Sequence, residues 1–431
     1  MKFYKKIRIH KPNYVCRKYK FCGITLFKKE ISVYVSMWIL GIRFAKFKNK
    51  KHIQNIPTSQ EVIRLFIDSI SPQKRTVLWI DHSLGGGTDI YSRNVFEEGL
   101  SSTNFIRMQF FAYNLSYQLA SINREGEKKL VFASLQEIWD FLGGLKISEV
   151  IVNNLVGYPK STDILEKVKE FKEAHSQTKV SFRAHDYHGI CPSFYLLDYN
   201  DTYCRLQSQN CETCLSKKRF HESDWENGIL RSGATTLAEW RHAWGDFFST
   251  TLDEFVAFSS EVSKLFISVY PQLENKTIIV PHKTREYPTV EVPSHKGINI
   301  GFLGDMGQIC KGRSVVLDLL NYIESYDNDI NLKIIGTFDV SHPKLHVTGR
   351  YTPDNLPKLI QKEKIDIIFI SSICPETFSY TTSEAMSMNI PIACFNFGAP
   401  YERVSKYSKG LILENFNTKY IVDKIKQFLN K

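Results

Sequence analysis

The sequence lacks any apolar stretch long enough to cross a lipid bilayer. The longest apolar run near its start, residues 31–42, has about a dozen residues, whereas a transmembrane helix needs roughly 20. The same region lacks the continuous apolar core and the small-residue cleavage site of a secretory signal. We therefore expect neither a transmembrane helix nor a signal peptide, and we expect a cytoplasmic protein.

Acidic residues are nearly absent from the first 51 positions, where Glu30 stands alone among fifteen Lys or Arg. The whole chain of 431 residues has 56 Lys or Arg and 45 Asp or Glu, which leaves 41 basic and 44 acidic residues for positions 52–431. The net charge of +11 therefore belongs to the N-terminal segment. A slightly acidic body argues against a protein whose main partner is nucleic acid.

The basic segment contains a weak internal repeat, "KYKFCGITLFKK" at 18–29 and "MWILGIRFAKFK" at 37–48. Alternating apolar residues, a central glycine and basic ends predict short β-ribbons here. Two interpretations stay open for residues 1–51. They form either a solvated, partly disordered tail or a contact with an anionic membrane surface, to which each Lys or Arg contributes about 1 kcal/mol.

The rest of the chain alternates short apolar runs with helix-like segments, a pattern typical of parallel, doubly wound sheets. A turn-rich and charge-rich join at 281–297 separates two series of this kind. We predict an α/β protein with two Rossmann-like domains facing a central cleft, where a ligand would bind at the strand ends. The predicted parts are a basic extension at 1–56, an N-terminal domain at 57–285 with a cysteine-rich insertion at 188–225, and a C-terminal domain at 296–431.

Four of the nine cysteines lie close together in the sequence, in "CPSFYLLDYNDTYCRLQSQNCETC". Their spacing is C-x12-C-x6-C-x2-C, and they are Cys191, Cys204, Cys211 and Cys214. Four thiolates are the ligand set of a tetrahedral structural zinc site. The alternative is a group of buried thiols that bind no metal.

Two glutamates stand eight positions apart in "CPETFSYTTSEAMSMNIPIACFNFGAP" at 374–400. Glu376 lies in the loop after the buried strand predicted at 365–371, where ligands bind in open α/β sheets. Glu384 stands three residues after Thr381, which is the spacing of a capping box at a helix start. Local geometry thus predicts a ligand-facing Glu376 and a capping Glu384.

This pattern resembles the E-x7-E motif of family 4 glycosyltransferases, which are retaining enzymes with the GT-B fold. The resemblance also includes "GFLGDMGQICKGRSVVLDLL" at 301–320, "GGGTDIY" at 85–91 and the "HD" at 185–186, and it spans about 75–431 in order. It implies that Glu376 binds the hydroxyls of the donor sugar and that Glu384 binds the nucleotide ribose. The resemblance thus overturns capping as the expected role of Glu384.

The resemblance also assigns a cation. Lys311 follows a predicted strand and precedes Gly312 and a helix, where a pyrophosphate would be stabilised by the ammonium and by free helix amides. Many family members carry an arginine directly after the glycine of this strand end, but this chain has Asp305 after Gly304. We therefore expect Lys311 to be the main cation; without a ligand it would be a surface lysine near a helix start.

Further site residues are implied by the same resemblance. His185 would lie close to the reacting sugar and the acceptor, with Asp186 fixing its tautomer; its position alone also fits an ordinary buried histidine. Gly86 and Gly87 would approach the donor closely, although a glycine run alone also fits a flexible turn. The remaining predicted donor-binding residues are Gly304, Phe378, Ser379 and Tyr380, and the nucleobase loop is predicted near Gly349, Arg350 and Tyr351.

The function that follows is transfer of a sugar from a nucleotide diphosphate to a hydroxyl of a glycan or lipid-linked glycan, with retention at the anomeric carbon. We expect catalytic roles for His185, Lys311 and Glu376, no catalytic metal, and a place in surface polysaccharide biosynthesis at the inner face of the cell membrane. The alternatives are a sugar-nucleotide epimerase of the same fold and a zinc-containing nucleic-acid-binding protein.

Overall fold

The computed structural model describes residues 59–111, 115–207, 211–218 and 236–430, together with the backbone of five strands between residues 4 and 48. The chain divides into two compact units. The first contains the described residues up to Arg183 and the segment Ala243–Glu254, and the second contains the other described residues from Ala184 onwards. The second unit therefore includes the cysteine-rich segment as well as the C-terminal region.

Five strands near the N-terminus pair as an antiparallel sheet in chain order. They are β1 (Tyr4–Lys11), β2 (Tyr14–Phe21), β3 (Ile24–Ile31), β4 (Tyr34–Ile39) and β5 (Ile42–Lys48). The predicted β-ribbons are confirmed at the level of the backbone. The register places Arg8 opposite Arg17, and Arg17 opposite Lys29. Basic positions of neighbouring strands are therefore adjacent across the sheet.

The main sheet of the first unit has the strand order β11-β10-β6-β7-β8-β9. Its strands are β6 (Arg75–Asp81), β7 (Thr103–Phe111), β8 (Ser116–Asn123), β9 (Gly126–Phe132), β10 (Glu149–Val152) and β11 (Lys179–Arg183). The pairs β6–β7, β6–β10 and β10–β11 are parallel, as predicted. The prediction of a parallel sheet is wrong at β8, which is antiparallel to both neighbours. Only two residues join β8 to β9, too few for a parallel crossover.

The helices of the first unit alternate with its strands along the chain, and α1 precedes β6. They are α1 (Gln60–Asp68), α2 (Gly87–Gly99), α3 (Leu135–Gly143) and α4 (Ser161–Ala174). Helices α1 and α4 correspond to the helix-like sequence segments 59–70 and 161–175. In α4 the buried positions Ile164, Leu165, Val168 and Phe171 recur with helical spacing, so one face of the helix is buried.

A series of shorter elements precedes the second sheet in the sequence. They are α5 (Cys211–Lys218), α6 (Leu237–Asp246), a π-helical turn (Phe247–Thr251), β12 (Glu254–Ala257), α7 (Ser260–Val269), a 3₁₀ turn (Pro271–Lys276) and β13 (Thr277–Ile279). Strands β12 and β13 pair in parallel. In the described part of the chain, no helix combines the length and the hydrophobicity that a membrane span requires.

The second sheet is wholly parallel, with the order β16-β15-β14-β17-β18-β19. Its strands are β14 (Ile298–Asp305), β15 (Ile330–Thr337), β16 (Leu345–Val347), β17 (Ile367–Ile370), β18 (Ile392–Phe395) and β19 (Gly410–Leu413). Its helices are α8 (Arg313–Tyr326), α9 (Leu356–Lys362), α10 (Tyr380–Ser387), α11 (Gly398–Val404) and α12 (Thr418–Leu429). This half confirms the predicted doubly wound pattern.

Both faces of this second sheet are covered by apolar side chains. In β17, Ile367 and Phe369 belong to one buried cluster, whereas Ile368 and Ile370 belong to another. Strands that are buried on both faces appear in a sequence as continuous apolar runs, which is why β17 could be predicted. The strand order reverses between β14 and β17, and ligands of open α/β sheets bind at such a reversal.

Candidate functional site

The two residues predicted to hold the donor's reacting end meet at this reversal point. Lys311 follows β14 and Glu376 follows β17, and Nζ of Lys311 lies 2.8 Å from Oε1 of Glu376. The Glu376 side chain is 8% exposed and that of Lys311 is 39% exposed. The hydroxyl of Ser372 also donates a hydrogen bond to Oε1 of Glu376. The structure thus brings an ammonium and a buried carboxylate together at the carboxyl end of the sheet.

The charge of Lys311 is maintained by its surroundings. Burial disfavours the ammonium, but the adjacent carboxylate of Glu376 outweighs this effect and raises the pKa of Lys311 above its ordinary value. Lys311 is therefore cationic at any working pH. A diphosphate arriving here would meet a fixed positive charge next to the first turn of α8.

Gly312 allows this close approach between Lys311 and β17. It adopts a φ of 85°, and a Cβ atom there would lie 2.0 Å from the carbonyl oxygen of Ser371. The hydroxyl of Ser371 donates a hydrogen bond to the carbonyl of Lys311 at 2.9 Å. A side chain at position 312 would push the Lys311 turn away from the end of β17.

Asp305, the departure from the family pattern, has a local role in the structure. Its Oδ1 accepts a hydrogen bond from the backbone N–H of Gly307 at 3.1 Å, which closes the turn after β14. Gly304 precedes it with a φ of 103°. A Cβ atom on the neighbouring Gly336 would lie 1.8 Å from the Gly304 carbonyl oxygen, so these two strand ends require glycine.

Glu384 lies on α10 and interacts with the predicted nucleobase loop. The hydroxyl of Tyr351 donates a hydrogen bond to Oε2 of Glu384 at 3.2 Å. Burial raises the pKa of Glu384 to about 7, and the Tyr351 hydrogen bond offsets part of that effect. The carboxyl group is thus poised near neutral pH in the protein without a ligand. Tyr351 of the predicted nucleobase loop therefore lies beside Glu384, and the ribose and nucleobase roles stay predictions.

The capping-box prediction for Thr381 and Glu384 is wrong. Helix α10 begins at Tyr380, and its N-cap is Ser379, whose hydroxyl accepts a hydrogen bond from the N–H of Thr382. Glu384 is therefore the fifth residue of the helix and lies a full turn beyond its start. The helix ends at Ser387, and Asn389 follows in the left-handed region with a φ of 60°, a common helix stop.

The donor loop, defined here as Phe378–Tyr380, is held by a residue that the sequence analysis missed. Arg403 of α11 donates hydrogen bonds to the hydroxyl of Ser383 at 2.8 Å and to the carbonyl of Ser379 at 3.2 Å. Its guanidinium also lies 5.1 Å from the centre of the Phe378 ring. Arg403 comes from the helix after the next strand, so only the fold brings it to the donor loop.

The join at 281–297 supplies a second residue that the sequence analysis missed. The N–H of Tyr287 donates a hydrogen bond to the hydroxyl of Ser387 at 2.6 Å, which fixes this segment against α10. Burial and the nearby charge of Glu384 raise the pKa of Tyr287. Tyr287 and Tyr351 therefore provide two aromatic rings around the Glu384 carboxyl group.

His185 lies beside the donor loop within the second unit. The hydroxyl of Thr377, next to Glu376, donates a hydrogen bond to the carbonyl of His185 at 2.8 Å. His185 is partly exposed, so it is not a fully buried histidine. His188 is buried, and burial lowers the pKa of its imidazole to about 3. Oδ1 of Asp186 accepts a hydrogen bond from the backbone N–H of His188 at 2.8 Å. The tautomer role of Asp186 stays a prediction.

The glycine run lies in the first unit, between β6 and α2. Gly85 and Gly86 have φ values near 80°, and a Cβ atom at either would have open space around it. Gly87 is the first residue of α2. Arg107 on β7 forms ion pairs with Asp81 at 2.6 Å and with Asp89 at 3.0 Å. These ion pairs fix the end of β6 to the first turn of α2.

The four clustered cysteines line one cavity in the second unit. They are Cys191, Cys204, Cys211 and Cys214. Burial raises the pKa of the Cys204 thiol. Among the side chains that the structure describes, no three or more His, Cys, Asp or Glu are already arranged as a metal site. The fold thus brings the predicted ligands to one place without forming a finished coordination shell.

Comparison with known proteins identifies the C-terminal region. Residues 299–431 match the family model described as glycosyl transferases group 1. The predicted enzyme class, a glycosyltransferase, is confirmed. The matched region contains Lys311, Glu376 and Glu384, whose geometry is given above. No curated protein matches the sequence.

Solved structures share the fold. The chain is similar to Anabaena Alr3699/HepE in complex with UDP-glucose, at 11% identity and a TM-score of 0.50, covering 82% of this chain and 89% of that one. It is similar to sucrose-phosphate synthase from Thermosynechococcus elongatus, at 11% identity and a TM-score of 0.53, covering 83% and 90%. It is also similar to the apo form of the lipopolysaccharide outer core galactosyltransferase WaaB, at 12% identity and a TM-score of 0.52, covering 82% and 90%. The predicted GT-B fold is confirmed.

Proposed function

We propose that the protein is a retaining glycosyltransferase of the family 4 type. It transfers a sugar from a nucleotide diphosphate to a hydroxyl of a glycan or lipid-linked glycan in surface polysaccharide biosynthesis. The observation that carries this proposal is the Lys311–Glu376 pair at the reversal point of the second sheet, with Glu384 nearby on α10. The UDP-glucose bound to the Anabaena neighbour supports a nucleotide-sugar donor.

The chemistry of the leaving group follows from Lys311. The bond between the sugar and the diphosphate breaks, and negative charge develops on the departing phosphate. The Lys311 ammonium and the free amides at the start of α8 are aimed at that charge before the reaction begins, so no reorganisation is needed. Positioning and charge stabilisation then supply most of the rate enhancement.

The two glutamates bind opposite ends of the donor. Glu376 accepts hydrogen bonds from the hydroxyls of the sugar and also pairs with Lys311. Glu384 accepts hydrogen bonds from the ribose hydroxyls, with Tyr351 beside it at the nucleoside end. His185 orients the reacting sugar and the acceptor, and Phe378, Ser379 and Tyr380 line the donor.

The activity is tested by incubating the full-length protein with a nucleotide sugar and a lipid-linked or soluble glycan. We expect acceptor-dependent release of the nucleoside diphosphate and a product whose anomeric configuration, measured by NMR, equals that of the donor. Inversion at the anomeric carbon would contradict the retaining assignment. Conversion of the donor to an isomer without any acceptor would identify an epimerase instead.

We also propose a structural zinc ion at the four-cysteine cavity. Four thiolates fit the donor set of a closed zinc site, and the cavity already collects all four. Zinc would displace the Cys204 proton and tie α5 to the preceding loop. The zinc ion would stabilise the fold and would take no part in sugar transfer.

Metal analysis checks this zinc prediction. We expect about one equivalent of zinc in freshly purified protein, lost in the Cys211→Ser/Cys214→Ser double variant and retained in Cys394→Ser, whose thiol is buried elsewhere. Chelation should also lower the thermal midpoint of the unsubstituted protein. Less than about a tenth of an equivalent of zinc or iron would contradict the site.

The basic N-terminal sheet leads to a proposal about location. Arg8, Arg17 and Lys29 are adjacent in register, which concentrates charge that an anionic bilayer can attract. We expect the protein to sediment with phosphatidylglycerol vesicles, to stay in solution with phosphatidylcholine vesicles, and to lose binding when residues 1–51 are deleted. Equal sedimentation of the truncated protein would contradict a peripheral location at the inner face of the membrane.

A further inference from the structure

His282 lies at the centre of an aromatic cluster that includes predicted site residues. Its ring centre is 4.4 Å from that of Phe378 and 5.3 Å from that of Tyr380, both in the donor loop. It is also 5.3 Å from the ring centre of His185 and 4.1 Å from that of Phe258. One imidazole therefore contacts the donor loop and the histidine predicted to face the reacting sugar.

The position of His282 in the chain explains why it can join these parts. It belongs to the join between β13 and β14, and the second unit contains all members of the cluster. Phe258 follows β12 and contacts both histidines, with 4.5 Å between its ring centre and that of His185. The Thr377 hydrogen bond to the His185 carbonyl is a second link between the segment before the donor loop and His185.

The ring of His282 is neutral under working conditions. Its side chain is buried, with 8% of the residue exposed, and burial lowers its pKa to about 3. The donor-loop end of this cluster also contacts a cation, because the guanidinium of Arg403 lies 5.1 Å from the centre of the Phe378 ring. Burial of His282 among aromatic rings thus favours an uncharged imidazole.

We infer that His282 is a positioning residue, whose ring holds His185 and the donor loop in fixed relative positions. The inference rests on the proposed sugar transfer and extends it to a residue outside the matched region 299–431. His282 acts by packing: its ring contacts Phe378 and Tyr380 of the donor loop and also His185 and Phe258. A displacement of about 1 Å between groups that contact the reacting sugar can cost about 10²-fold in rate.

The test compares His282→Ala, His282→Phe and a control, His188→Ala, in the full-length protein. His188 is an equally buried imidazole of the second unit, but its ring packs on Trp240 at 4.8 Å. For each variant the transfer rate, the dissociation constant of the nucleoside diphosphate and the thermal midpoint are measured. The nucleoside diphosphate is the one that stabilises the unsubstituted protein in a thermal-shift screen.

We expect His282→Ala to lower kcat about 10²-fold while the dissociation constant of the nucleoside diphosphate changes less than about threefold. His282→Phe should recover at least about tenfold of that loss, because an aromatic ring is restored. The inference is overturned if His282→Ala loses no more turnover than His188→Ala, if nucleotide binding falls in parallel with kcat, or if His282→Phe is as slow as His282→Ala. Absence of transfer by the unsubstituted protein would instead refute the proposed function.

Discussion

Lys311→Ala and Glu376→Ala are each expected to lower the transfer rate by about 10²- to 10³-fold, or about 3 to 4 kcal/mol of transition-state stabilisation. Lys311 supplies the fixed charge for the departing diphosphate, and Glu376 holds the sugar to which that diphosphate is bonded. Because the two side chains are 2.8 Å apart, either substitution also disturbs the partner. Initial rates at saturating and limiting donor concentration measure the effect on kcat and on kcat/KM.

A matched control separates loss of this pair from loss of any lysine–carboxylate pair. Lys419 and Asp423 form an exposed pair on α12, with 2.6 Å between Nζ and Oδ2. Lys419→Ala should leave both the rate and the stability nearly unchanged, since exposed pairs contribute about 0 to 1 kcal/mol. Near-normal rates in both Lys311→Ala and Glu376→Ala would contradict their assignment.

The two site substitutions should also differ in stability. Lys311→Ala leaves the Glu376 carboxylate buried without its cation, which is costly, whereas Glu376→Ala leaves a lysine that can reach solvent. We expect the lower thermal midpoint in Lys311→Ala, and partial recovery in the double variant. A rate loss in Glu376→Ala with an unchanged midpoint would then reflect catalysis and not unfolding.

Glu384→Gln is expected to stabilise the ligand-free protein and to weaken nucleotide binding. Burial raises the pKa of Glu384 to about 7, so folding favours the protonated form. The cost of ionising this carboxyl group is absent below the ordinary pKa near 4.5, grows as pH rises towards about 7, and is constant above it. The glutamine variant avoids that cost and should be more stable by about 1 to 3 kcal/mol at pH 8, with no gain at pH 4.5.

Whereas Glu384→Gln should stabilise the ligand-free protein, it should weaken nucleotide binding. Ribose hydroxyls donate best to a carboxylate, so replacing Glu384 with an amide should weaken binding by about 1.5 to 3 kcal/mol, or about 10- to 10²-fold. In the unsubstituted protein, affinity should rise as pH increases through about 7, because binding then requires no deprotonation. Isothermal titration across pH 5.5–8.5 measures both effects. Glu414→Gln, at an exposed position, is the matched control.

A Glu384→Gln variant with unaltered nucleotide affinity would contradict the ribose assignment. A variant that is destabilised at pH 8 would contradict the buried, ligand-free carboxyl group described here. The two outcomes are independent, because the first concerns the complex and the second concerns the protein alone. Loss of binding together with gained stability is the result that the geometry predicts.

The sequence was informative where function depends on residues near strand ends. Lys311 and Glu376 each follow a continuous apolar run, so their meeting at the carboxyl edge of one sheet could be predicted. The antiparallel strand β9 was missed because it is polar, with several exposed residues. Its pattern did not differ from that of a loop.

Residues that contact the site but lie far from its motifs in the sequence could not be predicted. Arg403, Tyr287 and His282 come from a later helix and from the join at 281–297, and only tertiary packing brings them to α10 and the donor loop. The capping-box error at Glu384 has a local cause. Ser379 and Thr381 are both good N-caps, and the choice between them depends on where the loop after Glu376 ends.

The most direct test of the central claim, a nucleotide-sugar donor site around Lys311, Glu376 and Glu384, is a thermal-shift screen. Purified full-length protein is heated with UDP, GDP, dTDP or ADP and with their common sugar conjugates. A ligand at about 100 times its dissociation constant adds about 2.7 kcal/mol of stability. We expect one nucleotide and its sugar conjugate to raise the thermal midpoint clearly, and the shift to shrink in Glu384→Gln. No shift with any of these ligands would contradict the donor site.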